Sequence, residues 1–154
     1  MDRTRNICFR KGKSVNIIVA ETNQEMDDAY HVRMKVFVEE QKVPPEEEID
    51  EHEKTSIHFI GYEAGKPAAA SRLRFTDEYG KLERICVLKE HRGKHYGQQI
   101  IKAMEEKVIA KGYKKAKLNA QTHAEGFYGH LGYHTVSGEF MDAGIPHVTM
   151  IKEL

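Results

Sequence analysis

The chain has 154 residues, enough for one domain with a substantial core. Lysine plus arginine and aspartate plus glutamate number 24 each, so the charge balance argues against nucleic acid or an anionic membrane as a partner. No apolar run approaches the ~20 residues of a membrane span and the N-terminus has no secretory leader, so we expect one cytoplasmic domain over residues 1–154, with Cys8 and Cys86 as free thiols.

A strand and a capped helix are predicted at the start of the chain. Residues 15–20 are apolar enough for a first strand, and Thr22 and Glu25 have the spacing of a capping box. Apolar residues then recur at helical spacing as far as Phe37. Because proline breaks a helix, we expect this helical region to end before Pro44.

The rest of the chain alternates between strand and helix patterns. A long helix is predicted from Tyr96 to Lys111, ending at Gly112, and a short helix is predicted over residues 124–131. This order predicts an α/β (α+β) fold, with a mixed, mostly antiparallel sheet of about six to seven strands and helices on both faces. The remaining strands are predicted at residues 57–63, 68–75, 81–88, 116–120, 133–137 and 147–152, with residues 138–146 as a loop.

The turn before the long helix has the physical properties of an anion site. The first amides of a helix have no intrahelical acceptors, and the helix dipole adds partial positive charge at the same point. Arg92 and Lys94 add formal charge, and Gly93 and Gly97 allow close approach to the main chain. The turn therefore favours a phosphate, although an ordinary exposed turn can have the same composition by chance.

Two motifs flank the long predicted helix and the strand after it. The first is V-L-K-E-H-R-G-K-x-x-G, which begins at Val87, and the second is F-Y-x-x-L-G-Y, which begins at Phe127. Together they resemble the GNAT superfamily of acetyl-CoA-dependent N-acetyltransferases. The family binds the pyrophosphate of coenzyme A on a turn of pattern Arg/Gln-x-x-Gly-x-Gly/Ala, in which His95 here replaces the first glycine. Residues 33–44, R-M-K-V-F-V-E-E-Q-K-V-P, are also similar to one bacterial GNAT subgroup of mostly unassigned substrate.

The resemblance implies a GNAT-type sheet, acetyl-CoA as co-substrate and a primary amine as acceptor. The pantetheine arm is expected to pair with the main chain of the strand at residues 85–87, and Gln121 replaces the asparagine that is usual in the family. The expected coenzyme-binding residues are Ile85, Cys86, Val87, Arg92, Gly93, Lys94, His95, Tyr96, Gly97, Gln98, Asn119, Gln121 and Tyr128.

Three side chains are candidates for catalysis. Tyr128 occupies the position of the tyrosine that, in many GNAT enzymes, donates a proton to the departing coenzyme A sulfur; its alternative role is core packing. Glu83 is the first candidate for a general base, because it shares a strand face with Ile85; an ion pair with Arg72 or Arg84 is the alternative. His123, just after the fifth predicted strand, is the second candidate base, and a helix cap is its alternative role.

Several functional questions stay open at the level of sequence. Residues 46–53 contain six carboxylates, and they form either a solvated loop or an acidic lip of the acceptor cleft. The spacing of His52 and His58 matches no metal site, so we expect no metal. The acceptor is either a small molecule or a protein amine, and a homodimer is possible. Alternatives to an enzyme are an acyl-CoA-binding sensor without turnover and, more remotely, a nucleotide-binding domain.

Overall fold

The computed structural model describes residues 14–154, so the predictions for the N-terminus and for Cys8 fall outside the described residues. Eight strands form one sheet and four α-helices accompany them. The strands are β1 Asn16–Val19, β2 Ile57–Glu63, β3 Lys66–Phe75, β4 Gly80–Val87, β5 Lys115–Gln121, β6 His134–Thr135, β7 Phe140–Asp142 and β8 Ile145–Glu153. The helices are α1 Asn23–Arg33, α2 Pro45–Glu48, α3 Tyr96–Ala110 and α4 Glu125–His130.

The sheet is mixed and mostly antiparallel, as the sequence predicted. The strand order is β1-β2-β3-β4-β5-β8-β6, with β7 paired to β8, and only β4 and β5 run parallel. The prediction of a loop over residues 138–146 was wrong, because this segment contains β7 and a tight turn at Ala143 and Gly144, both with positive φ. Because of this hairpin, the sheet has eight strands rather than the six to seven that the sequence predicts.

Two apolar clusters fill the two faces of the sheet. Neighbouring residues of β2 point to opposite faces, so Phe59 belongs to the cluster covered by α3 and Ile60 to the cluster covered by α1. In α3, the residues predicted to share one face are buried: Tyr96, Ile100, Ile101, Met104 and Val108. Helices therefore lie on both faces, as expected. Among the described residues, no helix is long and apolar enough to cross a membrane.

The predicted helix ends are confirmed, with one unexpected extension. Thr22 and Glu25 form the complete capping box at the start of α1. Gly112 adopts a φ of 90° after α3, and its N–H donates to Ile109 O at 2.9 Å. Beyond α1 the backbone continues as a π-helix over Met34–Glu40, a rare helix type that is frequent at functional sites. The helical region ends before Pro44, as predicted.

Among the described glycines, Gly80, at the start of β4, leaves the least room for a side chain. A Cβ at this position would lie 2.5 Å from Cγ2 of Val108, the buried residue of α3 that packs over it. We expect Gly80→Ala to lower the free energy of unfolding by about 1–3 kcal/mol, because the helix must move to relieve the clash.

Gly129→Ala is the matched control for this packing prediction, measured by urea denaturation. Gly129 lies within α4 and a Cβ there has no heavy atom within 4 Å among the described neighbours. Alanine at this helical position should be neutral or stabilising by up to about 1 kcal/mol. Equal stabilities for the two variants would contradict the close contact between Gly80 and Val108.

Candidate functional site

The parallel strands β4 and β5 separate part-way along their length. They are paired only where residues 80–82 of β4 lie beside residues 116–118 of β5. A bulge then displaces β4, because Arg84 has a φ of 57° and the register with β3 shifts by one residue between Ala70 and Arg72. Beyond the bulge the two strands continue without pairing, which leaves an opening between them.

The main chain of β4 faces this opening at alternate residues. Cys86 is the register partner of Ala70 in β3, and Leu88 N–H donates to Ala68 O. Because successive residues of a strand point their main-chain groups to opposite sides, Ile85 and Val87 direct theirs towards the opening. Cys86 instead pairs with β3, and its thiol is buried in the cluster beneath α1. Burial raises the pKa of this thiol well above its ordinary range.

A cleft of about 280 Å³ occupies the mouth of the opening. Its walls come from the π-helix, α2, β4, β5, the segment before α4, and the β7–β8 hairpin. Among the residues expected to bind the coenzyme or to catalyse, the cleft is lined by Glu83, Ile85, Asn119, Gln121, His123 and Tyr128. The turn residues 92–98 lie outside it, at the other end of the free edge of β4.

The turn before α3 presents a row of main-chain donors. Gly93 and His95 have φ values of 80° and 66°, so His95 adopts the left-handed conformation at the helix N-cap. Among the described residues, the N–H groups of residues 93–98 donate no hydrogen bond to a main-chain or side-chain acceptor. A histidine in place of the usual glycine therefore still supports a turn with open amides at the N-terminus of a 15-residue helix.

Both cations of the turn are paired with carboxylates. Arg92 donates from both terminal nitrogens to Glu40 at 2.7 and 2.6 Å, and its Nε donates to Val87 O at 2.9 Å. Lys94 Nζ donates to Glu63 at 2.9 Å, and hydrogen bonds from Tyr96 and Lys94 lower the pKa of that carboxyl to about 2. The open amides are thus the unpaired donors of the turn, and Arg92 is held beside them by Glu40.

Tyr128 reaches the cleft from α4. Its ring packs edge-on against Tyr133, with centroids 6.0 Å apart, and contributes to the cluster beneath α3. Its hydroxyl has no hydrogen-bond partner among the described residues, and burial raises the pKa of the phenol well above its ordinary range. The side chain is therefore both a packing residue and a protonated hydroxyl at the cleft wall.

Glu83 is held by three cations. Its Oε1 accepts hydrogen bonds from Arg72 and Arg74 at 2.8–3.0 Å, and Lys81 lies 3.5 Å from Oε2. Burial opposes ionisation of this carboxyl, but Arg74 and Arg72 outweigh it, so the pKa of Glu83 lies below its ordinary value. The ion pair with Arg72 is the alternative role that the sequence left open, and it weakens Glu83 as a base.

Residues 19–154 match the Acetyltransferase (GNAT) domain family. The chain belongs to the GNAT acetyltransferase family. YjcF of Bacillus subtilis, named as an N-acetyltransferase, is 50% identical over 137 residues, which cover 88% of this chain and 98% of the relative. Membership confirms the resemblance seen in the motifs and places this GNAT domain among transferases that take an acyl group from coenzyme A.

Solved structures share the fold of this GNAT domain. An N-acetyltransferase from Lactobacillus plantarum has a TM-score of 0.85 at 28% identity, over 92% of this chain and 99% of that one. A GNAT family acetyltransferase from Elizabethkingia anophelis, solved with acetyl-CoA bound, has a TM-score of 0.72 at 15% identity. That match covers 91% of this chain and 98% of that one, and it shows a common fold.

The acidic segment of this GNAT domain divides between two environments. Glu46, Glu47 and Glu51 are exposed, whereas three other carboxylates turn inwards onto buried arginines. Arg33, with no exposed surface, binds Glu48 and Glu53, and Arg72, only 1% exposed, binds Asp50, Glu53 and Glu83. The segment is therefore anchored by ion pairs, and only its outer carboxylates can act as a lip.

The polar residues of β5 are engaged with one another and with neighbouring elements. Gln121 donates to Gln41, at the end of the π-helix, at 2.8 Å, and accepts from His123 Nε2 at 2.6 Å. Asn119 Oδ1 accepts from the Thr149 hydroxyl at 2.9 Å. His123 is exposed and belongs to a 3-10 turn rather than to α4. The catalytic and coenzyme-binding roles of these residues stay predictions.

Some residues of the site carry no sequence signal. Glu40 and Glu63 reach the turn from positions 52 and 31 residues away along the chain, so only the fold brings them there. Phe37 and Ile145 contribute apolar walls, and their spacing is that of ordinary helix and strand residues. Among residues 14–154, no group of three or more histidine, cysteine, aspartate or glutamate side chains is arranged to hold a metal ion.

Proposed function

We propose that this chain transfers the acetyl group of acetyl-CoA to a primary amine, by direct attack with both substrates bound. The observation that carries the proposal is the continuous path from the open amides of the α3 turn, along the free edge of β4, to the cleft at Tyr128. The E. anophelis enzyme, which shares the fold, has acetyl-CoA bound, and this supports the same co-substrate here.

The open turn fits a diphosphate, and the β4 edge fits a chain of amides. The N–H groups of residues 93–98 would hold the phosphates at the positive end of the α3 dipole. The main-chain groups of Ile85 and the N–H of Val87 would pair with the pantetheine arm as an added strand does, since the Val87 carbonyl already accepts from Arg92. When bound, acetyl-CoA supplies a thioester whose C–S bond breaks as the new bond from nitrogen to the acetyl carbon forms.

The rim of the cleft favours a cationic acceptor. Glu47 on α2 and Asp142 on β7 both line the cleft, are exposed, and have no ion-pair partner among the described residues. Their charge would raise the local concentration of an amine in its ammonium form, and the walls of Phe37 and Ile145 would contact its carbon chain. The acceptor we propose is therefore an amine carried on an apolar chain.

Turnover is tested with purified protein, acetyl-CoA and a panel of primary amines. Calorimetry measures binding of acetyl-CoA, and a thiol reagent measures release of coenzyme A. Binding with amine-dependent thiol release supports the transferase. Binding without release at any amine would support the acyl-CoA sensor instead, and the absence of binding would refute both.

We expect Arg92 to contact the phosphates of the coenzyme. This contact competes with the ion pair between Arg92 and Glu40. Arg92→Glu should raise the dissociation constant for acetyl-CoA by about tenfold or more, because a charge-assisted contact is replaced by repulsion. Glu40→Gln is the matched control: it releases the same guanidinium, so affinity should be maintained or improved. Equal weakening by both variants would show that the ion pair only supports the turn, and unchanged affinity in Arg92→Glu would place the phosphates elsewhere.

A further inference from the structure

One histidine of the cleft has no role in the scheme above. His147 lies on β8, where it is the register partner of Gln121 on β5. It is only 8% exposed, its ring stacks on Phe140 with centroids 6.0 Å apart, and it forms part of the cleft wall. The ring is therefore fixed in place on a strand, between the β7–β8 hairpin and the end of β5.

The hydrogen bonding of His147 defines which nitrogen carries the proton. Nδ1 lies 2.7 Å from the main-chain oxygen of Ile145. A carbonyl oxygen can only accept, so Nδ1 must donate, and in the neutral ring Nε2 then holds a lone pair. Among the described residues, Nε2 has no hydrogen-bond partner. A buried ring on the cleft wall thus keeps one basic nitrogen available.

The two bases expected from sequence lack this arrangement. Glu83 accepts from two arginines, and its pKa is lowered by them. His123 donates from Nε2 to the side-chain oxygen of Gln121, and the ring is exposed. His147 combines a fixed tautomer, a rigid support and an available lone pair, and imidazole is the side chain that acts most often as a general base.

We propose that Nε2 of His147 is the general base that takes the proton from the acceptor. This assignment rests on the proposed acetyltransferase function. The ammonium of the acceptor first releases one proton to solvent. The neutral nitrogen then loses a second proton to Nε2 as it bonds to the acetyl carbon, and the sulfur receives a proton from Tyr128 as the C–S bond breaks. Solvent then returns the proton of His147 to Tyr128, so the protein is unchanged after each turnover.

The charged groups that line the cleft influence the protonation of His147. They come from α2, β4, the segment before α4, and β7: Glu47, Glu48, Lys81, Glu83, Arg84, His123 and Asp142. Glu48 and Glu83 are paired with arginines, so Glu47 and Asp142 are the carboxylates left to respond to a charged imidazole. A change at His147 should therefore alter the pH dependence of the reaction.

Two substitutions separate a base from a structural anchor. His147→Asn keeps a donor near the position of Nδ1, so the bond to Ile145 can persist, whereas the basic nitrogen is lost. His147→Gln places a non-basic amide near the position of Nε2 and loses the anchor. If His147 is the general base, both variants should lose activity. If His147 is only a structural anchor, His147→Asn should retain activity.

The assay uses water as the acceptor, so it does not depend on knowing the amine. Slow release of thiol from acetyl-CoA is followed against pH, together with binding of acetyl-CoA by calorimetry. We expect His147→Asn to slow hydrolysis by about 100-fold and to remove the acidic limb of the pH profile, with acetyl-CoA affinity unchanged. Wild-type hydrolysis rates in His147→Asn, or a wild-type protein that binds acetyl-CoA without any hydrolysis, would overturn the proposal.

A readout that needs no turnover tests the same inference. In ¹⁵N-labelled wild-type protein near neutral pH, the ring nitrogens of His147 should show a proton on Nδ1 and a bare Nε2, with assignment by comparison with His147→Asn. A proton on Nε2 would overturn the assignment even if the protein acetylates amines. Failure of the wild-type protein to bind acetyl-CoA would instead refute the proposed function, and the role of His147 with it.

Discussion

Replacing Arg72 with methionine is expected to lower the free energy of unfolding by about 3–5 kcal/mol. The guanidinium is 1% exposed and donates to Asp50 and Glu53 of the acidic segment and to Glu83 of β4. Its removal leaves these carboxylates close together with one fewer cation, and the loss of one partner from a buried ionic cluster leaves uncompensated charge. Methionine has a similar volume, so lost packing contributes little.

Lys35→Met is the matched control, with urea denaturation as the measurement. Lys35 forms an ion pair with Glu39 at 3.3 Å, and the two side chains are 49% and 62% exposed. Exposed pairs of this kind contribute about 0.3–0.5 kcal/mol, so this variant should unfold almost as the wild type does. A loss below about 1 kcal/mol for Arg72→Met, with an unchanged denaturant slope, would show that the cluster adds little to stability.

The pH dependence of stability reports the same cluster. Burial opposes ionisation of Asp50, Glu53 and Glu83, but the arginines outweigh it and hold the pKa of each carboxyl below its ordinary value. Groups with a lowered pKa in the folded state stabilise it above their ordinary pKa, and this contribution is lost as the pH falls through the lowered value. Wild-type stability should therefore fall below about pH 4, and Arg72→Met should show a smaller fall.

Most of the features that the sequence predicts depend on residues that are close to one another along the chain. The period of α3, its end at Gly112 and the capping box of α1 are local patterns, and each was confirmed. The sequence predicts ordinary helix over residues 34–40, where the structure has a π-helix, because seven residues make fewer than two turns of either helix type and their apolar spacing does not distinguish the two. β7 was missed because its short segment has no alternating pattern and depends on pairing with β8.

The sequence predicts those parts of the candidate site that a motif marks. It does not predict contacts between residues that are far apart along the chain. The turn at residues 92–97 and the placement of Tyr128 follow from motifs that the family shares. The ion pair of Arg92 with Glu40 joins positions 52 apart, and the partners of Arg72 lie up to 22 residues away. Such pairs leave no periodic pattern in the sequence, so the sequence predicts the acidic segment only as a solvated loop or as a lip of the cleft. The fold shows that buried arginines lie beneath it.

Removing the hydroxyl of Tyr128 is expected to have the largest effect on activity. Tyr128→Phe should lower kcat by about 100-fold or more, because in the mechanism we propose the departing sulfur then loses its proton donor. The ring and its contact with Tyr133 remain, so the dissociation constant for acetyl-CoA should stay close to the wild-type value. Since burial raises the pKa of this phenol above its ordinary value of about 10, ionisation of Tyr128 should cause no loss of rate at pH values below that.

Tyr133→Phe distinguishes proton donation from a general loss of hydroxyl groups in this region. The Tyr133 hydroxyl donates to Glu105 at 2.7 Å, and its residue is 3% exposed, so its removal should reduce stability by about 1–3 kcal/mol while kcat stays near wild type. Rates and acetyl-CoA affinities are measured for both variants under the same conditions. Equal kcat values in Tyr128→Phe and wild type would leave Tyr128 only a packing role, and the sulfur would then have to take its proton from water in the cleft.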